Sequence, residues 1–281
     1  MTILARQILP SRATRPGPSV SAKSTVQSLS KGLRVLESFT TQDPELKLSE
    51  IASRAGLDPG TAYRLIKTLV MLGYLRQVGG AKRYRLAMKV LDLGFHAIAG
   101  MDFHESSRPV LRSLVSEVNH AASLTVLDGG EVLYVERVQA PWGRLGVNVR
   151  VGSRIPACCA AAGHAILACL PIKRRKEILA MWERFKLTPN TPVTLAELER
   201  RFALVQKLGY AVSDQDHVPG LRVLAAPVLD PDGQPFGALS VASPSVSGTL
   251  EAFVKSSAGP LRRAADELSR ILRISGSASA A

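Results

Sequence analysis

The sequence predicts an α+β protein of two domains, in which a basic and mainly helical N-terminal part precedes a larger domain of helices and antiparallel strands. The chain has 281 residues, 46% of them apolar and 21% charged, which suits two domains of about 100–200 residues and excludes disorder throughout. Its net charge of +13 is uneven: residues 1–90 hold 15 Lys and Arg against 5 Asp and Glu, whereas residues 91–281 hold 21 against 18. This distribution is typical of a polyanion-binding domain joined to a nearly neutral one.

Residues 1–25 are predicted to be a disordered basic arm. They contain Arg6, Arg12, Arg15 and Lys23, and no acidic residue precedes Glu37. A transit peptide has a similar composition, but three prolines interrupt any amphipathic helix, and an apolar core of the length of a secretory signal is missing.

The cysteine content and the most apolar segment both favour a protein of the cytoplasm. Cys158, Cys159 and Cys169 leave one cysteine unpaired in any disulfide scheme and lack the paired spacing of a zinc site. The apolar segment 155–172 is bracketed by two prolines, and the helix between them would span about 21 Å of a bilayer core of about 30 Å. We therefore expect a buried helix there.

Three helices are predicted in the first domain. Apolar residues at helical spacing predict a helix over residues 26–39. Ser49 is predicted to be the N-cap of a short second helix, which ends at Gly56 because glycine accepts a left-handed backbone. Asp58 as N-cap, followed by a proline at the first helical position, predicts a third helix over residues 59–73. Two helices joined by one tight turn form a helix-turn-helix.

The third helix is predicted to have an apolar inner face and a polar outer face. The inner face comprises Ala62, Leu65, Ile66, Leu69 and Leu72; the outer face comprises Gly60, Thr61, Tyr63, Arg64, Lys67 and Thr68. Arg64 has the geometry to donate two hydrogen bonds to a guanine, Thr61 suits a thymine methyl group or a phosphate, and Lys67 suits a phosphate.

A basic hairpin is predicted directly after the third helix. Two short strands, at residues 74–78 and 82–86, flank a glycine turn. A basic hairpin in this position is typical of a wing that runs along the sugar-phosphate backbone. Two alternatives involve no DNA: a charged helix face is often only solvated, and a basic hairpin often only protects a sheet edge. The order of the elements and the net charge of +10 over residues 1–90 favour DNA binding over these alternatives. The candidate DNA-binding residues are Ser49, Gly60, Thr61, Tyr63, Arg64, Lys67, Arg76, Lys82, Arg83 and Arg85.

Residues 87–102 are predicted to form a linker helix. Its apolar stripe, with the residue before it, comprises Leu86, Val90, Leu91, Leu93 and Ile98. A small winged domain has nothing for this stripe to cover, so we expect it to pack against a second subunit.

Helices mixed with antiparallel hairpins predict an α+β domain over residues 103–274, followed by a short tail at 275–281. Turn motifs at Asp128-Gly129-Gly130 and at 230–233 predict hairpins. Helices are expected at about 104–119, 160–170, 173–183, 194–208 and 250–274, and strands at 122–127, 132–138, 145–149, 210–213, 222–229 and 235–242.

Two catalytic or metal-binding alternatives have little support. Cys158 and Cys159 near His164 and Asp214 or Asp216 give the components of a nucleophilic site, but no glycine elbow surrounds them, and adjacent cysteines in a strand point opposite ways. The histidines lack zinc-ligand spacing. We expect no enzyme activity, no metal and no cofactor. For Asp214, Asp216 and His217, capping and direct ligand contact remain open alternatives.

Four segments together resemble the IclR family, named for the isocitrate lyase regulator. They are SLSKGLRVLESF, LSEIASRAGLDPGTAYRLIKTLVMLGYL, VGSRIPACCAAAGHAILACLP and GYAVSDQDHVPGLRVLAAPVLDPDGQPFGALSVASP, and the resemblance spans residues 26–274. It implies a winged helix-turn-helix at 26–86 that binds operator DNA as a dimer or a dimer of dimers. A GAF-like α/β domain that binds a small carboxylic acid is implied for the larger domain.

The resemblance also implies an effector site. The matching positions are Ala161, Ala162, Gly163, Ser213, Asp214, Val223, Ser240 and Ala242. The start of the helix at 160–170 offers free N–H groups to a carboxylate. Compared with the family's pattern for glyoxylate and pyruvate, positions 213, 223 and 242 are smaller or less polar here, which favours a more apolar or aromatic acid.

The sequence therefore predicts a cytoplasmic, homo-oligomeric repressor or activator of a catabolic operon. A sensor that acts through protein contacts and a cysteine-dependent enzyme are the competing hypotheses.

Overall fold

Residues 26–40, 42–79, 82–99, 104–140 and 149–278 are described by a computed structural model of the chain, which divides into two units between Ile98 and Ala99. The predicted arm at 1–25, the tip of the hairpin turn, the end of the predicted linker helix and most of the predicted strand at 145–149 lie outside the described residues. Val149 is described, and it does not belong to a strand. In the described part of the chain, no helix is both long and apolar enough to cross a membrane.

The first unit packs its first three helices against a small sheet, and a fourth helix follows and ends at the boundary between the units. Its elements are α1 (Gln27–Glu37), β1 (Leu46–Lys47), α2 (Leu48–Ala55), α3 (Pro59–Met71), β2 (Leu75–Val78), β3 (Arg83–Leu86) and α4 (Lys89–Ala99). The antiparallel sheet has the order β1-β3-β2. Its core includes Val35, Ile51, Ile66 and Leu75, each no more than 2% exposed. Burial of these side chains from three helices and a strand holds the unit together.

Local signals set the end of α2 and the start of α3, and the structure corrects two predictions about these helices. Gly56 ends α2 with a φ of 61°, and the Asp58 carboxylate accepts a hydrogen bond from the Thr61 N–H at 2.8 Å. The prediction of Ser49 as an N-cap was wrong: β1 runs directly into α2, so Lys47 precedes the helix and Ser49 is its second residue. Leu72 was wrongly placed on the inner face of α3; it lies past the end of the helix and is 48% exposed.

The second unit is built on a six-stranded antiparallel sheet of order β6-β5-β4-β9-β8-β7. Its strands are β4 (Ala121–Asp128), β5 (Glu131–Val138), β6 (Arg154–Pro156), β7 (Ala211–Asp214), β8 (Leu221–Leu229) and β9 (Pro235–Pro244). Its helices are α5 (His104–Val118), α6 (Ala161–Cys169), α7 (Ile172–Ala180), α8 (Leu195–Leu208) and α9 (Leu250–Ala278).

Each face of this sheet is covered by a different set of helices. One core joins α5 and α9 to side chains such as Leu124, Leu224 and Leu239. The other joins α6 and α8 to Tyr134, Ala225 and other residues of the opposite face. Alternate residues of each strand therefore enter different cores, as the period of a β-strand requires.

Helix α6 is buried along its whole length except at its last residue. A Cβ atom on Gly163 would lie 2.0 Å from the Ala157 carbonyl oxygen, so glycine is required for this packing. Cys158 and Cys159 lie in a short 3-10 turn before α6, not in a strand, and both are buried.

Candidate functional site

Helix α3 presents a cationic outer face. Ala62 and Ile66 are at most 1% exposed, whereas Tyr63 is 51% exposed and Arg64 and Lys67 are exposed beside it. Within the described residues, neither Arg64 nor Lys67 forms an ion pair, and α3 itself contains no acidic residue. Both cations are therefore available to an external anion. Gly60 and Thr68 share this exposed face, and Thr61 is half-buried with its N–H bound to Asp58.

Strand register gathers the basic residues of the hairpin on one face of the small sheet. Arg76 lies directly opposite Arg85, and Arg83 is paired with both Val78 and Lys47. Like charges directly opposite each other destabilise a sheet, so this face has an excess of positive charge that an anion would relieve. The sequence did not reveal Lys47 as a member, because a two-residue strand leaves no periodic signal.

One acidic residue partly neutralises this face. The Glu45 carboxylate lies 3.7 Å from the Arg85 guanidinium, and both side chains are about one-third exposed. Arg76 and Lys82 are exposed, and neither has an ion pair with a described residue. Ser49 is exposed at the start of α2.

Helix α4 has an exposed apolar surface. Leu91 is 47% exposed and Leu93 is 56% exposed, and Met88 just before the helix is 76% exposed. Lys89 anchors the start of α4, because its Nζ donates to the Leu72 carbonyl oxygen at 3.0 Å and lies 5.0 Å from the centre of the Tyr74 ring. Packing of this surface against a second subunit stays a prediction.

In the second unit, strand register aligns four of the eight candidate effector residues in two neighbouring rows. The first is the Val223 row, which comprises Ser213, Val223, Ala242 and Ala121 on four successive strands. The second is the Arg137 row, which comprises Arg137, Ser123, Ser240 and Ala225. Ala225 belongs to the core with α6, so both rows lie on the α6 side of the sheet.

A β-bulge places Arg137 in its row. Tyr134 pairs with Thr125 and Glu136 with Leu124, so Val135 is an additional residue in β5. Val135 enters the core with α5 and α9. In a regular strand Arg137 would lie on the same side as Val135; the additional residue instead turns Arg137 to the α6 side.

A small cavity lies where the two rows meet. Its volume is about 20 Å³, which is room for about one water molecule. It is lined by Ser123, Tyr134, Arg137, Val149, Leu221, Val223, Ser240 and Ala242. Three predicted effector residues, Val223, Ser240 and Ala242, are therefore together in its wall. Sequence reasoning missed Ser123, Tyr134 and Arg137, whose positions depend on strand pairing.

The other five predicted effector residues do not line this cavity. Ala161, Ala162 and Gly163 are buried in the first turn of α6, where no side chain caps the helix. Ser213 is 4% exposed in the Val223 row. The Asp214 carboxylate accepts a hydrogen bond from the Arg222 Nε at 2.9 Å.

Asp216 is buried and His217 is half-buried, and described residues bind Asp216. The Asp216 carboxylate is 3% exposed and forms an ion pair with Arg201, and its carbonyl oxygen accepts a hydrogen bond from the Thr191 hydroxyl at 2.6 Å. Burial raises the pKa of Asp216, and the Arg201 hydrogen bond opposes that shift. Burial also lowers the pKa of His217.

Arg137 is a half-buried cation with incomplete hydrogen bonding. Its Nη1 donates to the Ser123 hydroxyl at 2.8 Å, but its Nε is buried and has no partner among the described residues. Burial lowers the pKa of Arg137, although a guanidinium remains charged at neutral pH. Burial raises the pKa of Tyr134 to about 12, so its hydroxyl is a neutral donor.

The cysteines are not arranged for catalysis. Burial raises the pKa of Cys158 to about 12 and that of Cys159 to about 11, so neither is a thiolate at neutral pH. Burial lowers the pKa of His164 to about 4, and its Nε2 lies 2.8 Å from the Cys158 carbonyl oxygen rather than beside a thiol. No cluster of three or more potential metal ligands occurs where side chains are described.

Comparison with known proteins identifies both parts of the chain. Residues 28–79 match the profile described as "IclR helix-turn-helix domain", and residues 95–270 match "Bacterial transcriptional regulator IclR C-terminal". The chain is 30% identical over 221 residues to the HTH-type transcriptional regulator XynR of Escherichia coli K12, covering 78% of this chain and 86% of that protein. It is also 30% identical over 237 residues to the transcriptional repressor IclR of the same organism, covering 84% of each.

A solved structure with the same architecture contains a ligand. It is an IclR homologue from Microbacterium hydrocarbonoxydans complexed with 4-hydroxybenzoate. The two structures superpose with a TM-score of 0.76 at 26% sequence identity, covering 88% of this chain and 99% of that one.

Proposed function

The chain belongs to the IclR family of bacterial transcriptional regulators, and we propose that it is a repressor or activator of a catabolic operon whose operator binding responds to a small carboxylic acid. Its relatives are named as transcriptional regulators, and the chain is a regulator and not an enzyme. Its site of action is the cytoplasm. The observation that carries the DNA-binding proposal is the cationic surface of α3 and the hairpin, where Arg64 and Lys67 have no described ion pair.

Each part of this surface has a distinct proposed role. Helix α3 enters the major groove, where Arg64 contacts a guanine and Thr61 and Tyr63 contact neighbouring bases. Gly60 allows close approach at the start of the helix. The remaining cations contact phosphates, as does the Ser49 hydroxyl at the start of α2; they are Lys67, Arg76, Lys82, Arg83 and Arg85.

The proposed domain organisation follows from these roles. Residues 1–25 form a basic arm, residues 26–86 bind DNA, and residues 87–102 form the linker helix. Residues 103–274 hold the effector, and 275–281 follow as a tail; the structure extends α9 through the first four residues of that tail, beyond the predicted end of the helix at 274. The exposed apolar residues of α4 pack against a second copy of the chain, so that two subunits, or two such pairs, read a palindromic operator.

The proposed effector is a small organic acid bound on the α6 side of the second unit. The 4-hydroxybenzoate complex of the Microbacterium relative supports an acid of this kind. The acid regulates DNA binding only if it binds one arrangement of the oligomer more tightly than another. The cavity has room for about one water molecule, so we propose that its widening distinguishes the two arrangements.

Titrations of labelled DNA with rising salt test the DNA-binding surface. One DNA carries the region upstream of the gene for this chain, and the other has a random sequence. We expect Arg64→Ala to weaken binding to the specific DNA about 5- to 150-fold more than to random DNA, and Arg83→Ala to weaken both equally. Lys207→Gln on α8 is the control for loss of one exposed charge. Equal losses on both DNAs for Arg64→Ala would exclude Arg64 from base recognition. Failure of the wild type to bind DNA at low salt would favour a sensor that acts through protein contacts.

A further inference from the structure

We infer that Arg137 binds the carboxylate of the effector, and that the effector is a monoanionic acid with an apolar body. This inference rests on the proposed regulation by an organic acid and assigns the residue that recognises it. Arg137 is not among the positions that family resemblance indicated for the effector.

The guanidinium of Arg137 has donors that no described residue uses. A guanidinium has five N–H donors in a planar fork, and the described residues account for one side-chain bond, from Nη1 to the Ser123 hydroxyl. The Nε is buried without a partner, and Arg137 forms no ion pair with a described acidic residue. A half-buried cation whose Nε is buried without a partner is unfavourable unless an anion joins it, and a carboxylate matches the guanidinium fork with two hydrogen bonds.

An irregularity in β5 places Arg137 beside the cavity. The bulge at Val135 turns its side chain away from the core with α5 and α9 and toward Ser123 and Ser240. Bulges are enriched beside functional sites, where they re-aim a side chain. Without the bulge, position 137 would face the core with α5 and α9, and an apolar residue there would fill that core. A purely structural role for residue 137 would therefore not require the bulge.

The cavity wall combines a single cation with polar and apolar residues. Arg137 is its only charged lining residue among those described, and three residues that carry hydroxyl groups, Ser123, Tyr134 and Ser240, also line it. The remaining lining residues are apolar: Val149, Leu221, Val223 and Ala242. One cation balances one carboxylate, and a second carboxylate against the apolar residues would lose its hydration without compensation. The wall therefore selects a monocarboxylate with an apolar body.

Calorimetric titration of the full-length protein with matched probes tests this inference. The monocarboxylates are benzoate, 4-hydroxybenzoate and butyrate, the neutral analogues are benzamide and butyramide, and the dicarboxylates are terephthalate and succinate. We expect at least one monocarboxylate to bind, and to bind at least about tenfold more tightly than its amide and its dicarboxylate counterpart. Tighter binding of the amide or the dicarboxylate would overturn the assigned ligand class.

Variants then test the residue. Arg137→Gln is expected to weaken binding of that monocarboxylate about 10- to 100-fold, and Arg137→Lys, which keeps the charge but not the fork, is expected to weaken it less. Arg200→Gln, on an exposed part of α8, is the control and should bind like the wild type. The melting temperature without ligand should not fall in Arg137→Gln, because the variant loses one hydrogen bond to Ser123 but also removes a partly buried charge whose Nε has no partner among the described residues.

The outcomes separate the inference from the proposed function. Unchanged affinity in Arg137→Gln would overturn the role of Arg137 and leave acid regulation standing. A lower melting temperature together with unchanged affinity would assign Arg137 a structural role instead. If no monocarboxylate of the panel binds the wild type while operator DNA still does, both the ligand class and acid regulation fail, and only the DNA-binding function remains.

Discussion

The hairpin face offers a quantitative test, because one carboxylate sits among its cations. Arg76 lies opposite Arg85 in the sheet, and Glu45 lies 3.7 Å from Arg85. If this face contacts phosphates, Arg76→Gln removes one contact. Glu45→Gln removes a negative charge and releases Arg85 for a further contact. The two substitutions should therefore change the salt dependence of DNA binding in opposite directions.

The size of each effect follows from counterion release. Each phosphate contact contributes about 0.9 to the slope of log K against log salt concentration. Raising the salt concentration from about 50 to about 200 mM weakens DNA binding. When one contact per chain is missing, this loss of affinity should be about 3.5-fold smaller than in the wild type, or about 12-fold smaller if two chains are bound. An exposed ion pair such as Glu45–Arg85 is worth only about 0.2–1 kcal/mol, so Glu45→Gln should leave the fold stable.

Fluorescence anisotropy with a labelled duplex, repeated at four or more salt concentrations, gives the slopes. We expect the magnitude of the slope to fall by about 0.9 per bound chain in Arg76→Gln and to rise by up to about 0.9 in Glu45→Gln. Lys207→Gln, in the second unit, should leave it unchanged. If the slope is the same in all three variants, or if Arg76→Gln and Glu45→Gln move it in the same direction, the hairpin face does not contact phosphates.

Three further predictions concern the second unit. Gly163→Ala should destabilise this unit by about 3 kcal/mol or more in urea unfolding, because the new Cβ would lie 2.0 Å from the Ala157 carbonyl oxygen. The control is Gly130→Ala, which should be nearly neutral because nothing among the described residues lies within 4 Å of its new Cβ. His164 has a pKa of about 4 when folded against an ordinary 6.5, so the unfolded chain binds its proton first and stability falls as pH drops from about 6.5 to about 4. His164→Gln should therefore reduce the loss of unfolding free energy between pH 7.5 and 4.5 by about 2–3 kcal/mol, and an unchanged loss would refute the assignment. Cys158 has a pKa of about 12, so it is a thiol at pH 8 and should resist iodoacetamide until the chain is unfolded. Mass spectrometry detects the labelling, and rapid labelling of the native protein would contradict the burial of Cys158.

Much of the DNA-binding unit was predictable because its signals are local. The Asp58 cap, the proline that follows it and the left-handed Gly56 depend on residues within a few positions of each other. The spacing of Ala62 and Ile66 likewise assigns the two faces of α3 from sequence alone. The error at Ser49 arose from β1, since its two residues pair with β3 about 37 positions later and leave no local pattern.

The cavity wall of the second unit combines positions that the family resemblance indicated with a position that it did not indicate. The positions it indicated on β8 and β9, Val223, Ser240 and Ala242, do come together in the cavity wall. Arg137 was missed because an alternating pattern assigns it to the same side as Val135. Only the pairing of β5 with β4 shows that one additional residue reverses that assignment.

The amino-acid sequence alone determined the end of α2 at Gly56, the start of α3 after Asp58 and the concentration of positive charge in the first ninety residues, since each depends on neighbours in the chain or on composition. Tertiary structure decided which cations share a face and which side of the sheet receives Arg137. These properties depend on strand register between distant segments, and a shift of one residue in register moves a side chain to the opposite face of the sheet.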